Sequence, residues 1–116
     1  MSSEIKHLQQ QLAQFAAERN WAQFHTPKNL AMALSGEVGE LTEIFQWLTP
    51  EQSKQLPKDK KAHLEEEIAD VLMYLVRLAD QCDIDVIKAC EKKLVKNTQK
   101  YPVEKCFGNA RKYNEL

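Results

Sequence analysis

Apolar residues recur at every third or fourth position along most of the chain, which is the spacing of amphipathic helices. Turn-forming prolines and polar runs separate four such stretches. The pattern predicts helices over about residues 3–22, 26–47, 59–80 and from Asp83 or Asp85 to Tyr101. Because such helices must bury their apolar stripes against one another, we expect an all-α fold, as a helical hairpin or a four-helix bundle.

The length allows one domain, which we place at residues 1–102, followed by an irregular tail over 103–116. Within that domain the third helix is expected to point a wide apolar stripe inward. Its members are Leu64, Ile68, Val71, Leu72, Leu75 and Leu78. A lone hairpin with so wide an apolar surface favours pairing of subunits, as a homodimer or a homotetramer.

Charge and composition limit the classes of partner and the cellular location that we expect for this chain. Its 16 basic and 17 acidic side chains give a net charge of −1, which weighs against a nucleic acid polymer as partner. No apolar run approaches the roughly 20 residues of a membrane span. The N-terminal residues lack a secretory pattern. Three cysteines without metal-type spacing indicate reduced thiols. We therefore expect a cytoplasmic protein.

The second predicted helix carries an acid on its apolar face. Glu37 falls about 20° from the centre of the stripe that begins at Leu30, and Glu40 lies at the stripe's edge, about 80° away. Gly36 and Gly39 flank the acids, although each glycine costs a helix about 1 kcal/mol relative to alanine. Departures of this kind from local rules are expected at functional sites.

A second acidic pair, Glu67 and Asp70, shares one edge of the third helix with Tyr74. Carboxylates that meet in a partly buried place repel one another unless a cation lies among them. Oxygen ligands select hard cations, Mg²⁺ first, with Mn²⁺ or Ca²⁺ as substitutes. Because Mg²⁺ usually completes its shell with phosphate oxygens, the two pairs on facing helices predict a site for a metal–phosphate ligand.

Two other interpretations stay open at this point. Most acids at this spacing on helices are solvated surface residues. A di-iron carboxylate bundle would need a Glu-x-x-His step on each of two helices, whereas the sequence offers one such step, from Glu4 to His7. The iron site is therefore the weaker alternative.

The two acidic steps, E-x-x-E over residues 37–40 and E-x-x-D over residues 67–70, resemble the pattern of the all-α NTP pyrophosphatase superfamily. The surrounding segments are similar to its MazG-like and dCTP pyrophosphatase branch. They are FAAERNW (15–21), QFH (23–25), PKNL (27–30), GEVGELTEIFQW (36–47), DVLMYL (70–75) and KYP (100–102).

This resemblance implies a homo-oligomer that hydrolyses a nucleoside triphosphate to the monophosphate and pyrophosphate. The substrate would be dCTP first, then dATP or dUTP, and the activity one that cleans the nucleotide pool. The implied Mg²⁺ ligands are Glu37, Glu40, Glu67 and Asp70. The implied contacts to base and sugar are Trp21, His25, Asn29, Trp47 and Tyr74. Those to the phosphates and nucleotide are Lys93, Asn97 and Tyr101.

In the chemistry that these residues suggest, Glu40 or Glu37 takes the proton of the attacking water and Lys93 offsets charge on the leaving pyrophosphate. Trp21 and Trp47 also have a plainer interpretation as core or interface packing, whereas Tyr74, which shares an edge with Glu67 and Asp70, is favoured as a nucleotide contact. Lys93 could be a solvated lysine, and His25 a loop residue bound to backbone. For the whole chain, the competing hypothesis is a non-catalytic helical association module with a carboxylate cation site.

Overall fold

Helices form nearly all the regular structure of residues 3–116, which are the residues that the computed structural model describes. The helices are α1 (Ser3–Glu18), α2 (Pro27–Phe45), α3 (Pro50–Ser53), α4 (Lys58–Gln81), α5 (Val86–Lys100) and α6 (Val103–Cys106). Short 3₁₀ turns occupy Ala22–Phe24 and Tyr113–Glu115. Residues 3–116 contain no strand, so the all-α prediction is confirmed.

Side-chain caps explain where two of the long helices begin. The Thr26 hydroxyl accepts a hydrogen bond from the backbone N–H of Asn29 at 3.2 Å, and Pro27 occupies the first helical position. The Asp85 carboxylate accepts one from the backbone N–H of Lys88 at 3.1 Å. The start predicted for the second helix at Thr26-Pro27 is therefore confirmed.

The first helix ends earlier than the sequence suggested. It stops at Glu18 rather than near Ala22, because Asn20 adopts a φ of 52°, which a right-handed helix cannot contain. The Trp21 backbone N–H then donates to the Ala16 carbonyl at 2.8 Å, which closes the helix end. Asparagine is the non-glycine residue that most readily accepts this conformation.

Three other boundaries differ in detail. The second helix ends at Phe45 instead of near Trp47. The linker expected to be irregular contains α3, which Thr49 and Gln52 start by a reciprocal capping box. The tail holds α6 and the 3₁₀ turn. The domain boundary at residue 102 stays a prediction, and Met1 and Ser2, which that domain includes, lie outside the described residues.

Residues 3–84 and 85–116 form two compact units. In the first unit α4 is the central element, with α2 and α1 both packed against it. The buried apolar residues of this unit are Ala16, Leu30, Ile44, Val76 and Ala79. Leu30, at which the predicted stripe of the second helix begins, is buried together with Ile44, so α2 presents the expected face to α4.

The predicted inward stripe of the third helix is only partly buried. Ile68, Leu72 and Leu75 remain 52%, 40% and 42% exposed, so the expectation that they point into this chain's core is wrong. The stripe is wider than its two helical neighbours can cover. Met32 and Val38 of α2 are exposed as well. Among the described residues, no helix is both long and apolar enough to cross a membrane.

Candidate active site

Three of the four predicted metal ligands converge between α2 and α4. Glu37 projects from α2, while Glu67 and Asp70 lie about one turn apart on α4. One carboxylate oxygen from each residue lies within 4.8 Å of the others. The packing of the two helices thus joins acidic steps that are far apart in the sequence, as the acidic pattern had suggested.

Two oxygens of this cluster are buried without a partner. Glu67 is 7% exposed, and neither its Oε2 nor the Oε2 of Glu37 accepts a hydrogen bond from any group of residues 3–116. Buried polar atoms are normally hydrogen-bonded, because an unpaired one loses its hydration without compensation. Carboxylate oxygens so placed are suitable ligands for a hard divalent cation. The cluster therefore fits a metal of that class.

Electrostatics within the cluster oppose full ionisation when no cation is bound. Burial, as the largest cause, and the nearby carboxylates of Glu40, Asp70 and Glu67 together raise the pKa of Glu37 from 4.5 to about 7. Without a cation, Glu37 therefore holds a proton up to near neutral pH, and this proton reduces the negative charge of the cluster. Metal binding is therefore expected to displace that proton.

The fourth predicted ligand, Glu40, lies at the edge of the cluster. It is exposed, and it is close enough to Glu37 to raise that residue's pKa, but the three-carboxylate group does not include it. Its role as a ligand stays a prediction. The flanking glycines have no steric explanation within residues 3–116, because a Cβ at Gly36 or Gly39 would meet nothing within 4 Å.

A histidine that the sequence analysis did not assign to the metal site contacts the cluster. His63 Nε2 lies 3.2 Å from Oε1 of Glu67, four residues further along α4. Residues at this spacing are neighbours on a helix, so the sequence did contain the signal. This contact gives Oε1 of Glu67 a partner, whereas Oε2 has none among residues 3–116.

A pocket of about 300 Å³ lies next to the cluster within residues 3–84. It is lined by Leu12, Phe15, Trp21, His25, Asp70, Met73, Tyr74 and Arg77. Asp70 thus belongs both to the carboxylate cluster and to the pocket wall. Trp21, His25 and Tyr74 were predicted to contact a ligand, and Asp70 was predicted to bind the metal. The sequence analysis did not assign the other four lining residues to the site.

Aromatic rings form one wall of this pocket. The Phe15 and Trp21 rings meet edge to face with their centroids 5.7 Å apart, and Trp21 meets His25 in the same way at 6.4 Å. The Arg19 guanidinium lies 3.6 Å above the Phe15 ring. Such a wall offers flat, polarisable surface against which a planar ligand can pack.

A buried arginine holds His25 in place. Arg77, 7% exposed, donates from Nε to His25 Nδ1 at 3.2 Å and pairs with Asp80 Oδ2 at 3.4 Å. Asp80 Oδ1 accepts a hydrogen bond from the side chain of Gln9 on α1. Burial, together with the charge of Arg77, lowers the pKa of His25. The His25 ring is therefore bound to a side chain, and not to backbone as one interpretation had it.

The remaining predicted contacts are not among the residues that line the pocket. The Asn29 side chain donates to the Phe24 carbonyl at 3.0 Å, which ties the 3₁₀ turn to the start of α2. Trp47 follows α2 and is 87% exposed. Lys93, Asn97 and Tyr101 belong to the second unit, where Tyr101 packs edge to face on Tyr113 at 6.3 Å. Their roles stay predictions.

Comparison with known proteins agrees with this architecture. The model of the MazG-like family matches residues 32–116. The chain is 49% identical over 106 residues to dCTP pyrophosphatase 1 of Mus musculus, and 49% identical over 107 residues to that of Homo sapiens. Each match covers 90% of this chain, which spans only 62% of either relative.

A solved structure shows a similar fold. The crystal structure of a pyrophosphatase from Archaeoglobus fulgidus superposes with a TM-score of 0.82 at 43% sequence identity, covering 88% of this chain and 95% of the other. The matched family region includes both acidic steps of the carboxylate cluster. Together with the curated relatives, these matches show that the chain belongs to the MazG-like family.

Proposed function

We propose that the protein is a nucleoside triphosphate pyrophosphohydrolase that depends on Mg²⁺, with Mn²⁺ as a possible substitute. Its substrate would be a deoxynucleoside triphosphate, dCTP first and dATP or dUTP next, and its role the cleaning of the nucleotide pool. The observation that carries this proposal is the position of Asp70, which belongs both to the carboxylate cluster and to the wall of the aromatic pocket.

In the proposed mechanism the carboxylates bind the cation that holds the triphosphate. Glu37, Glu67 and Asp70 would hold the cation, and Glu40 at the edge would add a fourth carboxylate. A bound Mg²⁺ would neutralise triphosphate charge and acidify a coordinated water. Because the cluster borders the pocket through Asp70, a nucleotide whose base occupies the pocket can direct its phosphates towards the carboxylates.

The reaction needs an acceptor for one proton. The oxygen of a water attacks the α-phosphorus, the bond from that phosphorus to the bridging oxygen of the β-phosphate breaks, and pyrophosphate leaves. Glu37 is one candidate to take the proton from the water, because it belongs to the cluster and its Oε2 accepts no hydrogen bond from residues 3–116. Glu40 is the other candidate. Lys93, on the evidence of the resemblance, would offset the charge on the leaving pyrophosphate.

The pocket supports a planar base as the recognised group. Trp21, His25 and Tyr74 line it, and its volume of about 300 Å³ lies at the lower end of the range for small-ligand sites. Cytosine is the first base we expect, because the similar curated proteins are named dCTP pyrophosphatase. Asn29, Trp47, Asn97 and Tyr101 complete the proposed nucleotide contacts on the strength of the resemblance.

Assembly and location belong to the same proposal. The exposed apolar residues Ile68, Leu72 and Leu75 of α4 support association with further copies, as a homodimer or homotetramer. The free, exposed thiols of Cys82 and Cys90 support a reducing, cytoplasmic location. Neither a nucleic acid polymer nor a membrane is part of the proposed function.

The deciding experiment incubates the purified chain with each deoxynucleoside triphosphate and Mg²⁺ and assays pyrophosphate against orthophosphate. We expect pyrophosphate plus the monophosphate, and loss of both in Glu67→Gln and Asp70→Asn with helicity retained. Glu65→Gln, an exposed acid on the same helix, is the matched control. Orthophosphate as the product would indicate another hydrolase, and no product at all would favour the non-catalytic association module.

A further inference from the structure

We propose that Arg77 is a positioning residue that fixes His25 as a hydrogen-bond donor into the aromatic pocket, so that the pocket selects bases presenting an acceptor atom there. The acceptor would be a carbonyl oxygen or a ring nitrogen with a free lone pair, both of which cytosine presents. The identity of the ligand rests on the proposed function, whereas the state of the His25 ring does not.

The first step concerns which ring nitrogen carries the proton. Arg77 Nε donates to His25 Nδ1 at 3.2 Å. A guanidinium has only donors and stays protonated in proteins, so it can bond only to a nitrogen with a free lone pair. Nδ1 must therefore be unprotonated, and the single proton of the neutral ring resides on Nε2.

The second step concerns what holds Arg77 itself. Its charge is buried, and the Asp80 carboxylate, which Gln9 of α1 also contacts, is its counter-ion at 3.4 Å. A buried charge deprived of its partner is strongly unfavourable, so this pairing keeps the guanidinium in one place. The His25 ring is thereby anchored to α4 and, through Gln9, to α1.

The third step concerns where the donor points. His25 lines the pocket, and its Nε2 makes no hydrogen bond to any group within the described chain. Burial and the Arg77 charge lower the pKa of His25, which keeps the ring neutral near pH 7. A ligand that presents an apolar group or a donor there would leave Nε2–H unpaired, and sites built to make a hydrogen bond discriminate strongly against such ligands.

The competing explanation is that Arg77 only anchors the turn that carries His25. Both explanations require the same tautomer, because the same hydrogen bond fixes it, and only the proposal expects Nε2–H to respond to a ligand. Long-range ¹H–¹⁵N correlation spectra of the ¹⁵N-labelled full chain are expected to show His25 Nδ1 unprotonated and Nε2 protonated. His7 and His63 serve as internal references.

The variant Arg77→Lys keeps a cation for Asp80 but lacks the Nε donor. We expect it to leave His25 as a mixture of tautomers and to raise KM for dCTP by up to about tenfold, the loss expected for one hydrogen bond, with little change in kcat. Arg111→Lys is the control, since Arg111 is exposed and is not among the residues that line the pocket. Its His25 resonances and KM should stay at wild-type values.

A ligand titration separates this inference from the proposed function. Addition of dCMP to the wild-type chain should shift the His25 Nε2–H resonance, whether or not the chain hydrolyses dCTP. His25→Gln, which retains an amide donor, should bind dCMP more tightly than His25→Leu. A proton on Nδ1 in the wild-type chain, or an Nε2–H signal indifferent to saturating dCMP, would overturn the inference. So would an Arg77→Lys variant with an unchanged tautomer.

Discussion

Nε2 of His63 lies 3.2 Å from Oε1 of Glu67, one helical turn along α4, while Oε2 of the same carboxylate is buried without a partner in residues 3–116. The two oxygens of Glu67 thus have different environments. The histidine contacts one oxygen and leaves the other free to accept a ligand, and the carboxylate as a whole belongs to the cluster with Glu37 and Asp70. His63 therefore positions a carboxylate that, in our proposal, binds the cation.

Removing this contact is expected to weaken cation binding. Outer partners of metal ligands typically contribute at least about tenfold to affinity, so we expect His63→Ala to weaken Mn²⁺ binding by about that factor. Isothermal titration calorimetry on the purified chain measures it. His63→Gln, which retains a donor, should lose less, and His7→Ala on the exposed face of α1 should lose nothing. Equal affinities in all variants would show that Glu67 needs no such support.

The stability of the cation-free chain should fall as the pH rises. Glu37 has a pKa of about 7 in the folded chain against an ordinary 4.5, so the folded state binds a proton that the unfolded state has already released. Its contribution to stability is complete below about pH 4.5 and is lost as the pH rises through about 7. Thermal unfolding in the presence of a chelator, repeated across this range, measures the loss.

The glutamine variant isolates this effect from other titrating groups. His25, whose pKa is lowered, acts with the opposite sign, but it is common to both proteins. The difference between the melting temperatures of Glu37→Gln and of the wild-type chain should therefore grow with pH, and excess Mg²⁺ should reduce it. Parallel curves for the two proteins would contradict the assigned pKa.

The sequence predicted the acidic face of α2 because helical periodicity decides on which side of a helix a residue lies. Leu30 and Glu37 share a side in the sequence pattern, and in the structure that side faces α4. The same geometry places Glu40 at the edge of the cluster. Local capping chemistry likewise located the start of α2 at Thr26.

Periodicity does not decide how many neighbours a helix has, which is why the stripe of α4 was misjudged. Leu72 belongs to an apolar stripe in sequence, yet no element of the described chain covers it fully. Arg77 was missed for a related reason. Its partner Asp80 is near in sequence, but His25 is 52 residues away, and only the folded chain brings that ring to the guanidinium.

Trp47 offers a direct test of the nucleotide contacts implied by the resemblance. Because it is 87% exposed, it is not a core residue, and Trp47→Ala should change the melting temperature little. We expect the same variant to raise KM for the preferred pyrimidine nucleotide severalfold, since base–aromatic stacking contributes about 1–3 kcal/mol. Steady-state kinetics over the substrate panel measures this.

Trp21→Ala is the matched comparison. Trp21 lines the pocket and packs on Phe15, so its removal should both raise KM and lower stability. A Trp47→Ala variant with an unchanged substrate profile and an altered oligomeric state would assign Trp47 to an interface between copies instead.

Asn20 connects the end of α1 to the pocket, because its φ of 52° directs the chain from the helix to Trp21. Asn20→Gly should preserve that turn, since glycine adopts positive φ without strain. Asn20→Val should cost about 1–2 kcal/mol of stability and raise KM as Trp21 shifts from the pocket wall. Asp83, with a φ of 56° after α4 and outside the pocket lining, is the control. Asp83→Val should lose similar stability without raising KM, and an equal rise in both variants would exclude a specific link between this turn and the pocket.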